Sequence, residues 1–123
     1  MSKKLDALAK KWLSHIFELQ PYEGGDYIQF CKELKAVTKE LAKQAGYSVK
    51  KWQNGHYSPD YVLVSPNGQL VYVSFRDVSS GETNWYFNIL YRKMQDENDW
   101  SGRGDMNHFT PLESLPAVLT NIY

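Results

Sequence analysis

Cysteine is almost absent from this chain: Cys31 is the only one in 123 residues. A lone cysteine excludes an intramolecular disulfide and any zinc cluster built on cysteines. Cys31 falls on the apolar stripe of a predicted helix, the place of a small buried thiol rather than a nucleophile. Long hydrophobic runs are missing as well. Nothing approaches the length of a membrane span, and Met1 to Asp6 lacks the apolar run of a signal peptide. The expectation is a soluble, cytoplasmic protein with no membrane partner. Net charge is also absent, with 14 basic and 14 acidic side chains. A dedicated non-specific nucleic-acid binder would be basic overall, because phosphate neutralisation dominates its affinity, and a mimic of DNA would be strongly acidic. Neither extreme is present. No G-x-S-x-G, Walker loop or G-x-G-x-x-G occurs. The acids Asp96, Glu97, Asp99 and Asp105 do not form the calcium-binding run of an EF-hand. No cofactor or metal is expected.

The balanced charge is unevenly placed. Residues 1–58 hold ten lysines and six acids, whereas residues 59–123 hold four basic residues and eight acids. The halves are therefore +4 and −4. Hydrophobic content of 42% and aromatic content of 15% are enough to build one core, so a single α+β domain over residues 1–123 is expected.

Tyr61 to Arg76 reads as a hairpin that organises the fold. Pro66-Asn67-Gly68 fits a type I turn closed by a left-handed glycine in a G1 bulge, because Pro66 has no N–H for a tighter loop. Ser65 then faces Gln69, Leu63 faces Val71 and Tyr61 faces Val73. One face collects Tyr61, Leu63, Val71, Val73 and Phe75 and is assigned to the core. The other collects Val62, Val64, Leu70, Tyr72, Ser74 and Arg76. A further strand over residues 84–93 would put Trp85, Phe87, Ile89 and Tyr91 on one face, with Tyr86, Asn88, Leu90 and Arg92 on the other.

Leu5, Leu8, Trp12, Ile16 and Leu19 recur at helical spacing and predict an amphipathic helix over residues 2–20, which could separate as an arm. Asp26 is a suitable N-cap for a second helix from Tyr27 to Ala45, ended by Gly46. Its apolar positions are Tyr27, Cys31, Leu34, Val37 or Thr38, Leu41 and Ala45. Its surface carries Lys32, Lys35, Lys39 and Lys43, of which Lys35/Lys39 and Lys39/Lys43 are like-charge neighbours. Residues 95–109 form the longest segment without periodicity. Thr110-Pro111-Leu112-Glu113 has the spacing of a capping box, followed by a turn and a short helix over 116–122 that would bury Leu115, Val118, Leu119 and Ile122. The expected fold is two N-terminal helices, an antiparallel sheet of three to four strands and a short C-terminal helix.

Pro59-Asp60, followed by a hairpin to Ser74-Phe75-Arg76, is similar in outline to the PD-(D/E)xK nuclease pattern, which would imply metal-assisted hydrolysis. Ser74 stands where that pattern has its second acid and Arg76 where it has lysine, so neither the carboxylate nor the easily deprotonated base is supplied. The inner α-β-β-β-α order resembles a double-stranded-RNA-binding domain in order alone, without its basic loop residues. No family is assigned. The leading expectation is a small, non-enzymatic interaction module that binds a protein partner. Its contacts would be Tyr72, Arg76, Tyr86, Asn88 and Arg92 on the sheet, with Trp100 and Arg103 in the 95–109 loop, because tyrosine and arginine on a rigid sheet suit recognition. Two alternatives stand beside it: a nucleic-acid-binding accessory protein using the lysine row and the sheet tyrosines, and a hydrolase in which His56, Asp60 and His108 meet.

Overall fold

A computed structural model of the chain describes residues 3–14, 25–54, 59–75, 85–99 and 107–122. Helix α1 (Lys3–Trp12) and helix α2 (Gly25–Gln44) precede strands β1 (Ser48–Asn54), β2 (Pro59–Val64), β3 (Leu70–Ser74), β4 (Ile89–Met94) and β5 (His108–Thr110). A 3-10 turn (Leu112–Ser114) leads into helix α3 (Leu115–Thr120). The fold is α+β. Its sheet has five antiparallel strands in the order β1-β2-β3-β4-β5 rather than the expected three to four, so each strand pairs with its neighbour in the chain. The additional strand is β5, which lies at the end of the stretch expected to be a loop. Three residues are too few to show a period, and β5 exists through its pairing with β4, where Ile89 meets Thr110 and Tyr91 meets His108.

The central hairpin closes as its turn residues dictate. Ser65 N–H donates to Gln69 O at 2.9 Å, Gly68 N–H donates to Ser65 O at 3.0 Å, and Gly68 takes φ +91. The Ser65 hydroxyl donates to Asn67 Oδ1 and accepts from Gln69 N at 2.9 Å, tying the loop to itself. Register follows: Leu63 meets Val71 and Tyr61 meets Val73. All five side chains assigned to the core face, Tyr61, Leu63, Val71, Val73 and Phe75, are fully buried.

Helix α2 covers that face with Tyr27, Cys31, Leu34, Val37, Thr38, Leu41 and Ala45, and with Phe30, all buried. Phe30 meets Trp85 edge-on at 5.1 Å and Trp12 at 5.9 Å, a geometry worth about 0.5–1.5 kcal/mol per pair beyond the area buried. Helix α2 ends in a Schellman motif: Tyr47 N–H donates to Ala42 O, Gly46 N–H donates to Lys43 O, and Gly46 takes φ 80. Leu5, Leu8 and Trp12 of α1 belong to the same core. Ile16 and Leu19, expected to extend that helix, lie outside the described residues.

Two local expectations change. Strand β4 begins at Ile89, and residues 85–87 form a turn. Trp85 and Tyr86 are therefore both buried, which no alternating strand allows, while Phe87, expected on the core face, is exposed. Near the C-terminus no capping box forms. Thr110 is engaged in β5 and its hydroxyl donates to Pro111 O, while Glu113 accepts from the Tyr86 hydroxyl at 3.3 Å. Leu112, Leu115 and Leu119 are buried, with Val118 and Ile122 packed partly against the core.

Candidate functional site

The sheet face opposite α2 carries two of the seven expected contact residues, Tyr72 and Arg92. Pairing lines up Lys51, Val62, Tyr72 and Arg92 across β1 to β4, since directly opposed residues share a face. A second row runs Gln53, Asp60, Ser74, Leu90 and Phe109. Tyr72 and Arg92 thus meet as expected, and the guanidinium carbon lies 4.8 Å from the tyrosine ring centre.

This face is not open throughout. Val62 is fully buried and Arg92 is 3% exposed. Part of the cover is the segment after β4, which folds back over the sheet. Asp99, 0% exposed, places Oδ2 3.9 Å from Arg92 Nη1 and also accepts from Gln95 N at 3.0 Å. Across the sheet, Lys50 pairs with the Glu97 carboxylate at 3.6 Å, and Lys51 donates to Glu97 O at 3.4 Å. A charge can be buried only with a partner, so Arg92 pins the segment to the sheet. Its role here is internal. Tyr72 is half-buried; its hydroxyl donates to Asp60 and accepts from Ser74. Burial first, then the Asp60 charge, pushes its pKa up to about 12.

The other expected contacts scatter. Tyr86 joins the core beside Trp85, with its ring at 5.8 Å, and its hydroxyl turns to Glu113. Burial and that carboxylate raise its pKa. Asn88 is half-buried between the 85–87 turn and β4. Arg76, Trp100 and Arg103 lie outside the described residues. The His/Asp site does not assemble from its described members. Asp60 faces the outer side with Tyr72, while His108 faces the core side, stacked on Tyr91 at 5.3 Å. His56 lies outside the described residues. Among the described residues no three of His, Cys, Asp and Glu cluster so as to hold a metal ion. Asp60 and Ser74 are cross-strand neighbours, so the position opposite Asp60 carries a hydroxyl rather than a second carboxylate.

A second surface lies on α2, where charge is sorted by flank. Glu33 and Glu40 face α1. Glu33 accepts from Lys11 at 2.9 Å, Trp12 Nε1 at 3.1 Å and Gln29 at 2.6 Å, and Glu40 pairs with Lys4 at 3.7 Å. Burial alone would raise the Glu33 pKa, but these donors outweigh it and lower it. Lys32, Lys35, Lys39 and Lys43 follow one another along the solvent side of α2, and none forms an ion pair with an acid among the described residues. At the margin of this row stands Trp52 of edge strand β1, 46% exposed, with Lys35 Nζ 3.8 Å from its ring centre. Helical spacing alone places the lysine row, but not Trp52 beside it. Its signal was the run Lys50-Lys51-Trp52, an aromatic next to basic residues on a strand.

Compared with known protein families, with curated proteins and with solved structures, the chain matches none. No described helix is long and apolar enough to cross a membrane.

Proposed function

We propose that this protein is a small, non-enzymatic binding module whose partner is a nucleic acid, held against the lysine row of α2. The observation that carries this reading is the sorting of charge on that helix. Its Glu33 and Glu40 are taken up by Lys11 and Lys4 of α1, and the lysines of β1 by Glu97. Lys32, Lys35, Lys39 and Lys43 are left as a row about 16 Å long, at 1.5 Å rise per residue. Zero net charge does not oppose this, because a polyanion responds to the local field of the surface it approaches. The test is fluorescence anisotropy with labelled oligonucleotides, comparing the native protein with a Lys35→Gln/Lys39→Gln/Lys43→Gln variant across a salt series. Binding that falls steeply with salt, and a variant weakened at least tenfold with a shallower salt slope, support the reading. Equal binding by both proteins, or none at low salt, overturns it.

A second reading keeps the partner a protein and the surface the outer sheet face. Leu90 and Phe109 stand opposite each other there, with Phe109 49% exposed, which gives that face an apolar corner beside Tyr72 and Asp60. Tyrosine beside apolar side chains suits a protein contact. Loss of partner capture by Phe109→Ser at an unchanged melting temperature supports this reading, and unchanged capture removes it.

A further inference from the structure

We infer that the nucleic acid is single-stranded, with an unpaired base stacked on Trp52 and the adjoining phosphates on the lysine row. The inference rests on the nucleic-acid reading above and adds to it the class of ligand. Three tryptophans lie among the described residues, and they are used differently. Trp12 and Trp85 are buried at 5% and 0% exposure inside aromatic contacts of the core. Trp52 belongs to the same face of the sheet, opposite Tyr61, yet almost half of it is exposed, because β1 is the edge of the sheet. Burying a large ring is the ordinary use of tryptophan. A half-exposed indole on a rigid edge strand, bordered by cations, has the composition of a stacking platform.

The contact now made on that ring shows what kind of group suits it. Lys35 Nζ rests 3.8 Å from the ring centre, so a charge is already held there by the face of the indole. The ammonium sits on a flexible four-carbon stem. It can swing from the ring to a phosphate while a base takes the vacated face, which keeps the cation engaged in both states. A duplex offers only the first half of this arrangement. Its phosphates could reach the lysines, but its bases are stacked on one another, and presenting one to Trp52 would require unpairing it. Ile28, 49% exposed and one turn before Lys32, adds apolar surface to the same row. Base–aromatic stacking tolerates any base, so the surface is expected to show little sequence preference.

The experiment uses the full chain, with labelled oligodeoxythymidylate, oligouridylate and a mixed-sequence DNA duplex of the same length, read by anisotropy and by tryptophan emission. Expected are binding of one or both single strands at least tenfold tighter than the duplex, and partial quenching of emission on binding. Trp52→Leu should weaken single-strand binding about tenfold or more and leave the salt slope unchanged. Trp52→Phe, which keeps an aromatic face, should retain most of the affinity while losing the quench. Lys39→Gln should lower the salt slope by about 0.7 and keep the quench. Duplex and single strand bound alike, or Trp52→Leu binding as the native protein does, overturns the stacking inference and leaves the lysine row standing. Binding of neither class overturns both readings. Trp52→Leu melting at the native temperature ensures that any loss belongs to the surface and not to folding.

Discussion

Tyr72 and Arg92 stand directly opposite each other on β3 and β4, and the guanidinium carbon of Arg92 lies 4.8 Å from the centre of the tyrosine ring. The two residues were expected to share a face, and they do. Beyond the arginine, Asp99 closes over it. Arg92 Nη1 has no hydrogen-bond partner among the described residues and relies on the Asp99 carboxylate at 3.9 Å for its compensating charge.

That reliance gives a stability prediction. Asp99→Ala leaves a guanidinium 3% exposed without its counter-charge, and should destabilise by about 3 kcal/mol. Arg92→Met together with Asp99→Ala should cost less than Asp99→Ala alone, since the stranded charge is gone. Urea denaturation of the single and double variants measures the coupling. A double variant less stable than Asp99→Ala would show that the pair carries no charge compensation.

The turn at Gly68 gives a second prediction. Nothing lies within 4 Å of a Cβ built there, so a side chain meets no clash and the only cost is the backbone at φ +91. Gly68→Val should therefore lose about 1–2 kcal/mol, and Gly68→Asn much less, since asparagine tolerates the left-handed region. Equal losses in the two variants would point to packing instead of backbone strain.

The features legible in the sequence are those fixed by neighbours in the chain. Pro66-Asn67-Gly68 sets the turn, the turn sets the register, and the register puts Tyr61 and Val73 in the core. The stripe from Tyr27 to Ala45 sets the buried side of α2 in the same way. What was not legible depends on distant partners. Tyr86 looked like an outer-face residue because alternation was extended through Asn84 to Lys93, but the 85–87 turn sends two consecutive aromatics inward. Arg92 reads as exposed because its parity puts it on the face opposite the more apolar set; the burial comes from Asp99, seven residues further on and folded back over the sheet. Asn88 and Phe87 changed surroundings for the same reason as Tyr86. The lysine row could be read from helical spacing, whereas the meeting of Lys35 with Trp52 depends on how α2 passes the edge of β1.

Cys31 gives a third prediction. The thiol is 1% exposed, and burial, partly offset by a hydrogen bond with Tyr27, pushes its pKa up to about 11. At pH 8 it should be both inaccessible and protonated, so Ellman's reagent should react with the folded protein only as fast as the protein opens. In urea above the midpoint the full thiol should appear at once. Rapid reaction in native buffer would mean that α2 frays as far as its second turn.

The last prediction concerns alkaline pH. Burial and the neighbouring Asp60 charge hold the Tyr72 phenol neutral in the folded protein up to about 12, against an ordinary value of 10.0. Below the unfolded value both states keep the proton, and whatever Tyr72 contributes is fully present. Between the two values the unfolded chain loses its proton while the folded chain keeps it, so the folded state binds more protons and stability falls as pH rises. Tyr72→Phe removes this titration and the hydrogen bond to Asp60 while keeping the ring beside Arg92. Near pH 8 the native protein should be the more stable by about 0.5–1.5 kcal/mol, the usual worth of one hydrogen bond. That advantage should shrink steadily from pH 10 towards pH 12. Tyr61 and Tyr86 are also raised, but they titrate in both proteins and largely cancel in the difference. Urea midpoints for the pair across this range supply the measurement. A difference that stays constant with pH would mean that the phenol ionises as readily in the folded protein as in the unfolded chain, and that the outer face around Tyr72 is open to water.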